Sequence, residues 1–265
     1  MAETRSPPYS VLVTGASSGI GAVYADRFAR RGHPLVLAAR DRTRLEELAS
    51  RLRKEAKVTV DVLQADLTTK ADLGNVERRL REDESIGLLI NNAGAAPHAG
   101  FASIDSDESE QIILLNVTAL TRLTGAVLPR FLKRGSGSII NIASVVALAP
   151  ESPLGIYAAT KSFVLTMSQS LQSELGPRGL YVQAVLPAAT RTEIWERSGR
   201  DVTKIDNVMD VDDLVDAAIV GFDKRELVTI PPLPDEGLWE AFSSARKAML
   251  PTFSPKSASR YKAKS

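Results

Sequence analysis

Tyr157 and Lys161 lie four residues apart in a stretch of helical periodicity, Pro153 to Leu175, so a phenol and an ammonium share one helix face. An ammonium beside a phenol favours the phenolate and lowers a pKa that is otherwise about 10. That pair can give a proton to a substrate oxygen or take one from it, while a nearby serine hydroxyl holds the same oxygen. Ser144, after the apolar run Ser138 to Ile142, is a serine at a strand end.

A second group capable of chemistry is VLVTGASSGIG, Val11 to Gly21. Strand character over Ser10 to Val13 runs through Thr14 into Gly15, and Gly19 and Gly21 lead into a helix over Ile20 to Arg31. The first backbone N–H groups of such a helix have no intrahelical partners and face an anion above the strand end. A pyrophosphate suits that position. Gly15 permits the turn, Gly19 allows close approach to the phosphates, and Gly21 lets the helix pack on the strand. Ser17 or Ser18 is placed to cap the helix. The spacing, G-x-x-x-G-x-G, differs from the common dinucleotide fingerprint, so the turn needs support from the rest of the chain.

That support comes from a strand-helix rhythm with polar residues at the strand ends. Leu35 to Ala39 reads as a buried strand ending at Arg40, about twenty residues past the glycine turn, where an arginine accommodates a ribose 2′-phosphate and an acid would bind the 2′-OH. Helix Thr43 to Ala56 is followed by strand Val58 to Leu63, with Asp66 and Leu67 beyond its end. Asp66 suits an adenine contact or the cap of the helix Thr69 to Arg81. Strand Ile86 to Ile90 ends in Asn91, Asn92, Ala93 and Gly94, small and amide residues that allow close backbone approach. The acids of Asp105 to Glu110 precede a long apolar helix reaching Lys133 and read as capping, not as a metal cluster. Asn116 falls inside that helix, where a buried amide needs partners. Strand Tyr181 to Leu186 leads into Pro187, Thr190, Arg191 and Thr192, and the polar stretch to Asn207 has the length of a lid. Helix Val211 to Phe222 and strand Leu227 to Ile230 follow, then prolines, a helix Glu236 to Leu250, and a basic tail expected to be disordered.

Composition excludes several classes. With 265 residues and 44% hydrophobic residues the chain can bury one sizeable core. Its 33 Lys and Arg against 32 Asp and Glu create no field to gather nucleic acid or an acidic membrane. There is no cysteine, hence no disulfide, thiol nucleophile or thiolate metal site. MAETRSPPYS is too polar for a signal peptide and no apolar run is read as long enough to span a bilayer, so a cytoplasmic location is expected.

Together these pieces resemble the short-chain dehydrogenase/reductase family, of the compact single-domain type, over residues 10 to about 230. TGASSGIG at Thr14 to Gly21, NNAG at Asn91 to Gly94, Asn116, Ser144 and YAATK at Tyr157 to Lys161 carry the resemblance. It implies a doubly wound α/β sheet of seven parallel strands, preceded by a flexible stretch (1–9) and followed by a C-terminal helical extension and basic tail (231–265). It implies NADP(H), with NAD(H) possible, across the strand ends, and hydride transfer to or from a carbonyl or secondary alcohol. Tyr157 would be the general acid or base, Lys161 would bind the ribose and depress the tyrosine pKa, Ser144 would hold the carbonyl, and Asn116 would anchor a relay water. Gly15, Ser17, Ser18, Gly19, Ile20, Gly21, Arg40, Asp66, Leu67, Asn92, Ala93, Gly94, Pro187, Thr190 and Thr192 would complete the cofactor site, and no metal is required.

The substrate pocket, from Ala95 to Phe101, Val145 to Leu148, Ile194 and Trp195, is expected to suit a bulky apolar carbonyl compound, with Arg191 the one obvious arginine for an anionic group. His98 is the reserve acid. Ala188 replaces the glycine usual after Pro187, so a different lid entrance is expected, and Ile230-Pro231-Pro232 replaces a glycine-rich turn, so a homodimer or homotetramer is expected without a choice between them. The competing readings are a nucleotide sensor without turnover, for which a proton relay has no use, and a sugar-nucleotide epimerase or dehydratase, which needs a longer C-terminal region.

Overall fold

In the computed structural model, seven parallel strands form one sheet in the order β3-β2-β1-β4-β5-β6-β7. They are β1 (Ser10–Thr14), β2 (Leu35–Ala39), β3 (Val60–Gln64), β4 (Ile86–Asn91), β5 (Gly137–Ile142), β6 (Leu180–Val185) and β7 (Val228–Thr229). The structure describes residues 9–261, so all of the expected N-terminal stretch except Tyr9, and the end of the tail, lie outside the described residues. The chain divides into two units, Met1–Pro232 and Leu233–Ser265.

Side-chain alternation along each strand separates two cores. Val11 and Val13 face α1 (Gly19–Arg30), α2 (Arg42–Ala56) and α8 (Val211–Asp223), meeting Phe28, Leu52 and Leu214. Leu12 faces the other way, toward α3 (Lys70–Glu82), α5 (Leu120–Arg134) and α6 (Gly155–Leu175), with Val76, Phe131 and Leu175. Burying each such side chain stabilises the fold by about 1.5–3 kcal/mol.

β1 pairs with both β2 and β4, so the direction of winding reverses between β1 and β4 and opens a crevice at the carboxyl ends of the strands. Thr14, Asn91 and Ile142 end their strands on that side. The register β4–β5 sets Asn91 beside Asn141, and a buried chain of hydrogen bonds runs from Asn91 Nδ2 to Asn141 Oδ1 (2.9 Å) and from Asn141 Nδ2 to Ser168 Oγ (2.9 Å). These bonds tie β4, β5 and α6 together beneath the crevice.

α4 (Ser106–Ile113), capped by Asp105 as its acids foretold, passes through a π-helical turn, Leu114–Ala119, into α5. The helix over residues 106–134 is long and apolar enough, by length and composition alone, to cross a membrane, which corrects the expectation that no apolar run reaches that length. Its apolar inner face, including Leu123, Val127 and Phe131, packs on the sheet, and Asp107, Glu108 and Glu110 occupy its first turns. Among the described residues no group of acids or histidines is arranged to hold a metal.

In the second unit Asp235 caps α9 (Glu236–Met249), and Trp239 stacks on Phe242 at 5.6 Å. Short 3-10 turns follow at Leu250–Thr252 and Ser259–Tyr261.

Candidate active site

A cavity of about 280 Å³ occupies the crevice at the strand ends. Behind its wall, at the end of β1, lies buried Thr14, whose hydroxyl accepts from the N–H groups of Asn92 (3.0 Å) and Ala93 (3.1 Å), while Asn92 Nδ2 donates to the Thr14 carbonyl at 2.9 Å. Thr14 thereby fixes the β4 loop against the glycine turn, a role not assigned to it from sequence. Gly15 has φ +64°, and a Cβ there would sit 2.8 Å from Asn92 Nδ2, so both backbone conformation and space demand glycine. A Cβ on Gly21 would meet the same amide at 2.5 Å, in keeping with its expected packing role.

Gly15, Ser17, Ser18, Gly19 and Ile20 line the cavity. Ser18 occupies the N-cap position of α1, but neither it nor Ser17 caps: the Ser18 backbone is extended and its side chain makes no capping bond. The first N–H groups of α1 are thus left for an anion such as a pyrophosphate, and Gly19, at φ +54°, leaves room for no Cβ, which would stand 3.1 Å from Thr192 Cγ2.

Arg40 and Asp66 line the same end of the cavity, with Leu67. The Arg40 backbone is anchored by Gln64 Nε2, 3.1 Å from its carbonyl oxygen. Asp66 does not cap α3, a task that falls to Thr69; it accepts from the Thr68 N–H (2.9 Å) and hydroxyl (2.7 Å). Burial opposes ionisation of Asp66, but the Thr68 bonds and the Arg40 charge outweigh it and hold its pKa below the usual carboxylate value.

Ser144, Tyr157 and Lys161 meet at the centre of the cavity, with Asn92, Ala93, Gly94, Pro187, Thr190 and Thr192 around them. Ser144 Oγ lies 3.2 Å from the Pro187 carbonyl, and Lys161, 5% exposed, donates to the Ile142 carbonyl at 2.8 Å. The ammonium is 5.5 Å from the centre of the Tyr157 ring. Burial pushes the Tyr157 phenol up to about 12, partly opposed by the Ser144 hydroxyl, and pushes Lys161 down to about 8. The expectation was a phenol depressed by the lysine; in the protein alone burial raises it, and the group that opposes the burial is the Ser144 hydroxyl.

Asn116 and Gly21 are not on the cavity wall. Asn116, 2% exposed in the π-helical turn, bonds both polar groups of Ala95 at 2.9 Å through its side chain and gives a further bond to Thr160 Oγ1 at 3.1 Å. The buried amide is therefore satisfied as a brace between α6 and the loop after β4. Thr160 in turn donates to the Tyr157 carbonyl at 2.8 Å, so the brace also reaches the residue that carries the phenol.

The substrate side is walled by Ala96, Leu115, Val145, Val146, Leu154 and Trp195. Trp195 lies on a short helix, α7 (Ile194–Arg197), and its indole donates to the Thr190 carbonyl at 2.7 Å. Phe101 is exposed and does not reach the wall, and Arg191 is exposed as well; the lid arginines that line the cavity are Arg197 and Arg200. His98 is engaged by Glu108, with its ring nitrogen 2.7 Å from the carboxylate. Ala188 is not among the residues of positive φ, so this backbone accommodates an alanine without strain. The stretch after β6 is tied to α2 by Glu193, whose two carboxylate oxygens each accept from Arg44 Nη1 at 2.7 Å and one of which also accepts from Arg197 at 2.6 Å. Loop path decides these contacts, and no local pattern in the sequence signals them.

Residues 9–203 match the family model described as short chain dehydrogenase. A short-chain dehydrogenase from Sphingobium yanoikuyae, solved in complex with NADPH, is 60% identical, with a TM-score of 0.95 over 96% of this chain and 100% of that one. A bulky-bulky ketone specific alcohol dehydrogenase from Comamonas testosteroni is 53% identical, with a TM-score of 0.90 over 97% of this chain and 99% of the other. Among curated proteins, 17-beta-hydroxysteroid dehydrogenase type 3 of Mus musculus is 32% identical over 76% of this chain, and very-long-chain 3-oxoacyl-CoA reductase of Macaca fascicularis is 33% identical over 69%. These curated relatives are longer, and the matched part spans 66% and 60% of their length. The glycine turn, the strand-end cavity and the family match agree: the chain belongs to the short-chain dehydrogenase/reductase family of oxidoreductases.

Proposed function

We propose that the protein is an NADP(H)-dependent carbonyl reductase, or alcohol dehydrogenase in the reverse direction, acting on bulky and largely apolar ketones. The observation that carries this reading is the convergence of Ser144, Tyr157 and Lys161 in one cavity whose far end holds the glycine turn and Arg40. The NADPH complex of the 60% identical Sphingobium protein and the ketone specificity of the 53% identical Comamonas enzyme support it.

The chemistry that the bound dinucleotide supplies is hydride donation to the carbonyl carbon. Around it, the N-terminus of α1 takes the pyrophosphate between Ser17 and Ile20, and Arg40 takes the 2′-phosphate. Asp66 and Leu67 flank the adenine, Asn92 to Gly94 the ribose, and Pro187, Thr190 and Thr192 the carboxamide. Lys161 holds the nicotinamide ribose hydroxyls. Ser144 donates to the substrate carbonyl oxygen and Tyr157 gives its proton to that oxygen as charge develops there. Asn116 acts by bracing Ala95 and Thr160, which takes both of its amide hydrogens and one acceptor site of its oxygen, so a relay water would be held by an oxygen of this residue and not by its N–H groups. The cytoplasm is the proposed location and a homodimer or homotetramer the proposed assembly.

NADPH oxidation against ketones of increasing apolar size tests the reading. Burial of apolar surface contributes roughly 25 cal/mol per Å², so efficiency should rise with size until the wall between Val146, Leu154 and Trp195 is filled. Trp195→Ala should move that optimum to larger ketones without changing the mass seen by light scattering. Efficiency independent of size, or a variant that only dissociates, defeats the pocket assignment.

A further inference from the structure

The lid brings a charged group to a wall that is otherwise apolar. Arg200 lines the cavity and is half-buried, its backbone fixed by an N–H bond to the Trp195 carbonyl at 2.8 Å. Ser198 beside it is buried, with its hydroxyl 3.0 Å from the same carbonyl, so the turn that presents Arg200 is internally held. The neighbouring cations are committed, Arg197 to Glu193 and Lys204 to Asp201, whereas Arg200 has no carboxylate partner among the described residues.

The turn that carries Arg200 borders the loop after β4, from which Ala96 reaches the substrate wall. Gly199 packs against the loop after β4, its Cβ position being 3.5 Å from His98 Cδ2. Glu108, in the first turn of α4, is already taken by the His98 N–H (2.9 Å) and ring nitrogen (2.7 Å). A guanidinium so placed offers a planar, permanently charged fork to a substrate leaving the pocket mouth.

We infer that Arg200 recognises an anionic group, and that the preferred substrates are ketones whose apolar body ends in a carboxylate. The inference rests on the carbonyl-reductase reading of the same site. The carbonyl sits at Ser144 and Tyr157, the apolar body lies along Val145, Leu154 and Trp195, and the carboxylate reaches the lid. This differs from a small hydroxy acid held beside its carbonyl, because the charge is met at the far end of the wall.

The test compares benzoylbutyrate with its neutral analogue benzoylbutyramide, by NADPH oxidation and by titration calorimetry on the full chain. A charge-assisted contact at a half-buried site should favour the carboxylate about tenfold in kcat/KM, mainly through KM. Added salt should shrink the ratio. Arg200→Gln should bring the ratio to parity and Arg200→Lys should restore part of it; because each variant is judged by its own ratio, a general loss of activity does not mimic the effect. Equal efficiencies in the wild type overturn the inference while leaving the reductase reading intact. A preference that survives Arg200→Gln assigns the anion to another cation and overturns it too. Reduction of neither compound, nor of any neutral ketone, overturns the reductase reading along with it.

Discussion

Arg40→Ala should separate the two nicotinamide cofactors. Arg40 is exposed at the tip of β2 and lines the cavity, with its backbone held by Gln64 independently of its own side chain. Truncation therefore removes a charge without releasing the strand end. Of the flanking arginines, Arg44 is bonded to Glu193 and Arg42 lies 3.9 Å from Glu46. A hydrogen bond to a charged group contributes about 1.5–3 kcal/mol, and solvent exposure places Arg40 in the lower half of that range. The expected loss is about ten- to thirtyfold in NADPH affinity, with NADH changed by about twofold at most. Fluorescence titration of both cofactors at fixed ionic strength measures this, and raising the salt should narrow the gap between wild type and variant for NADPH alone. Equal losses for the two cofactors would show that Arg40 shapes the site without reading the 2′-phosphate.

Two further outcomes follow from charges whose environments are resolved. Lys161, lowered to about 8 by burial, must be an ammonium to play the part proposed for it at the ribose hydroxyls, so kcat/KM for NADPH should be level below that pH and fall about tenfold per unit above it; a level profile to pH 10 would remove the lysine from cofactor capture. Asp26 on α1 is tied to Arg30 at 2.7 Å and Arg51 at 2.9 Å, and although burial works against ionisation, these arginines hold it down to about 2 from an ordinary 3.8. A depressed carboxylate stabilises the fold above its unfolded pKa and loses that contribution as pH falls from about 4 to about 2. Asp26→Asn should lower Tm at pH 7 and match the wild type near pH 2, whereas a Tm difference unchanged by pH would mean that packing, not charge, matters there.

Much of the fold was legible because parallel strands buried on both faces read as short apolar runs, as in Leu35 to Ala39 and Ile86 to Ile90, and glycines and prolines punctuate them. The site was legible where a motif is local: the glycine turn, the NNAG stretch and the Tyr157–Lys161 pair all reach the cavity or its immediate backing. Features set by distant packing were not. Burial reverses the expected direction of the Tyr157 shift, and the Asn116 amide is spent on Ala95 and Thr160, facts that need the path of α6 relative to the loop after β4. That Arg200 and not Arg191 lines the cavity likewise depends on how the chain turns at Ser198 and Gly199, where polarity alone distinguishes nothing. Local composition also misjudged the helix over 106–134, whose apolarity serves the sheet-facing core.

Removal of one oxygen atom tests the central claim most directly. Tyr157→Phe keeps the ring and deletes the hydroxyl proposed to give the proton. NADPH titration and ketone reduction should be measured on the same preparation. The account predicts cofactor affinity within about twofold of wild type together with a loss of at least about a hundredfold in kcat, the scale of a general acid. A Tyr157→Phe enzyme that reduces bulky ketones at a near-normal rate while binding NADPH normally would contradict it, because the proton would then come from another group.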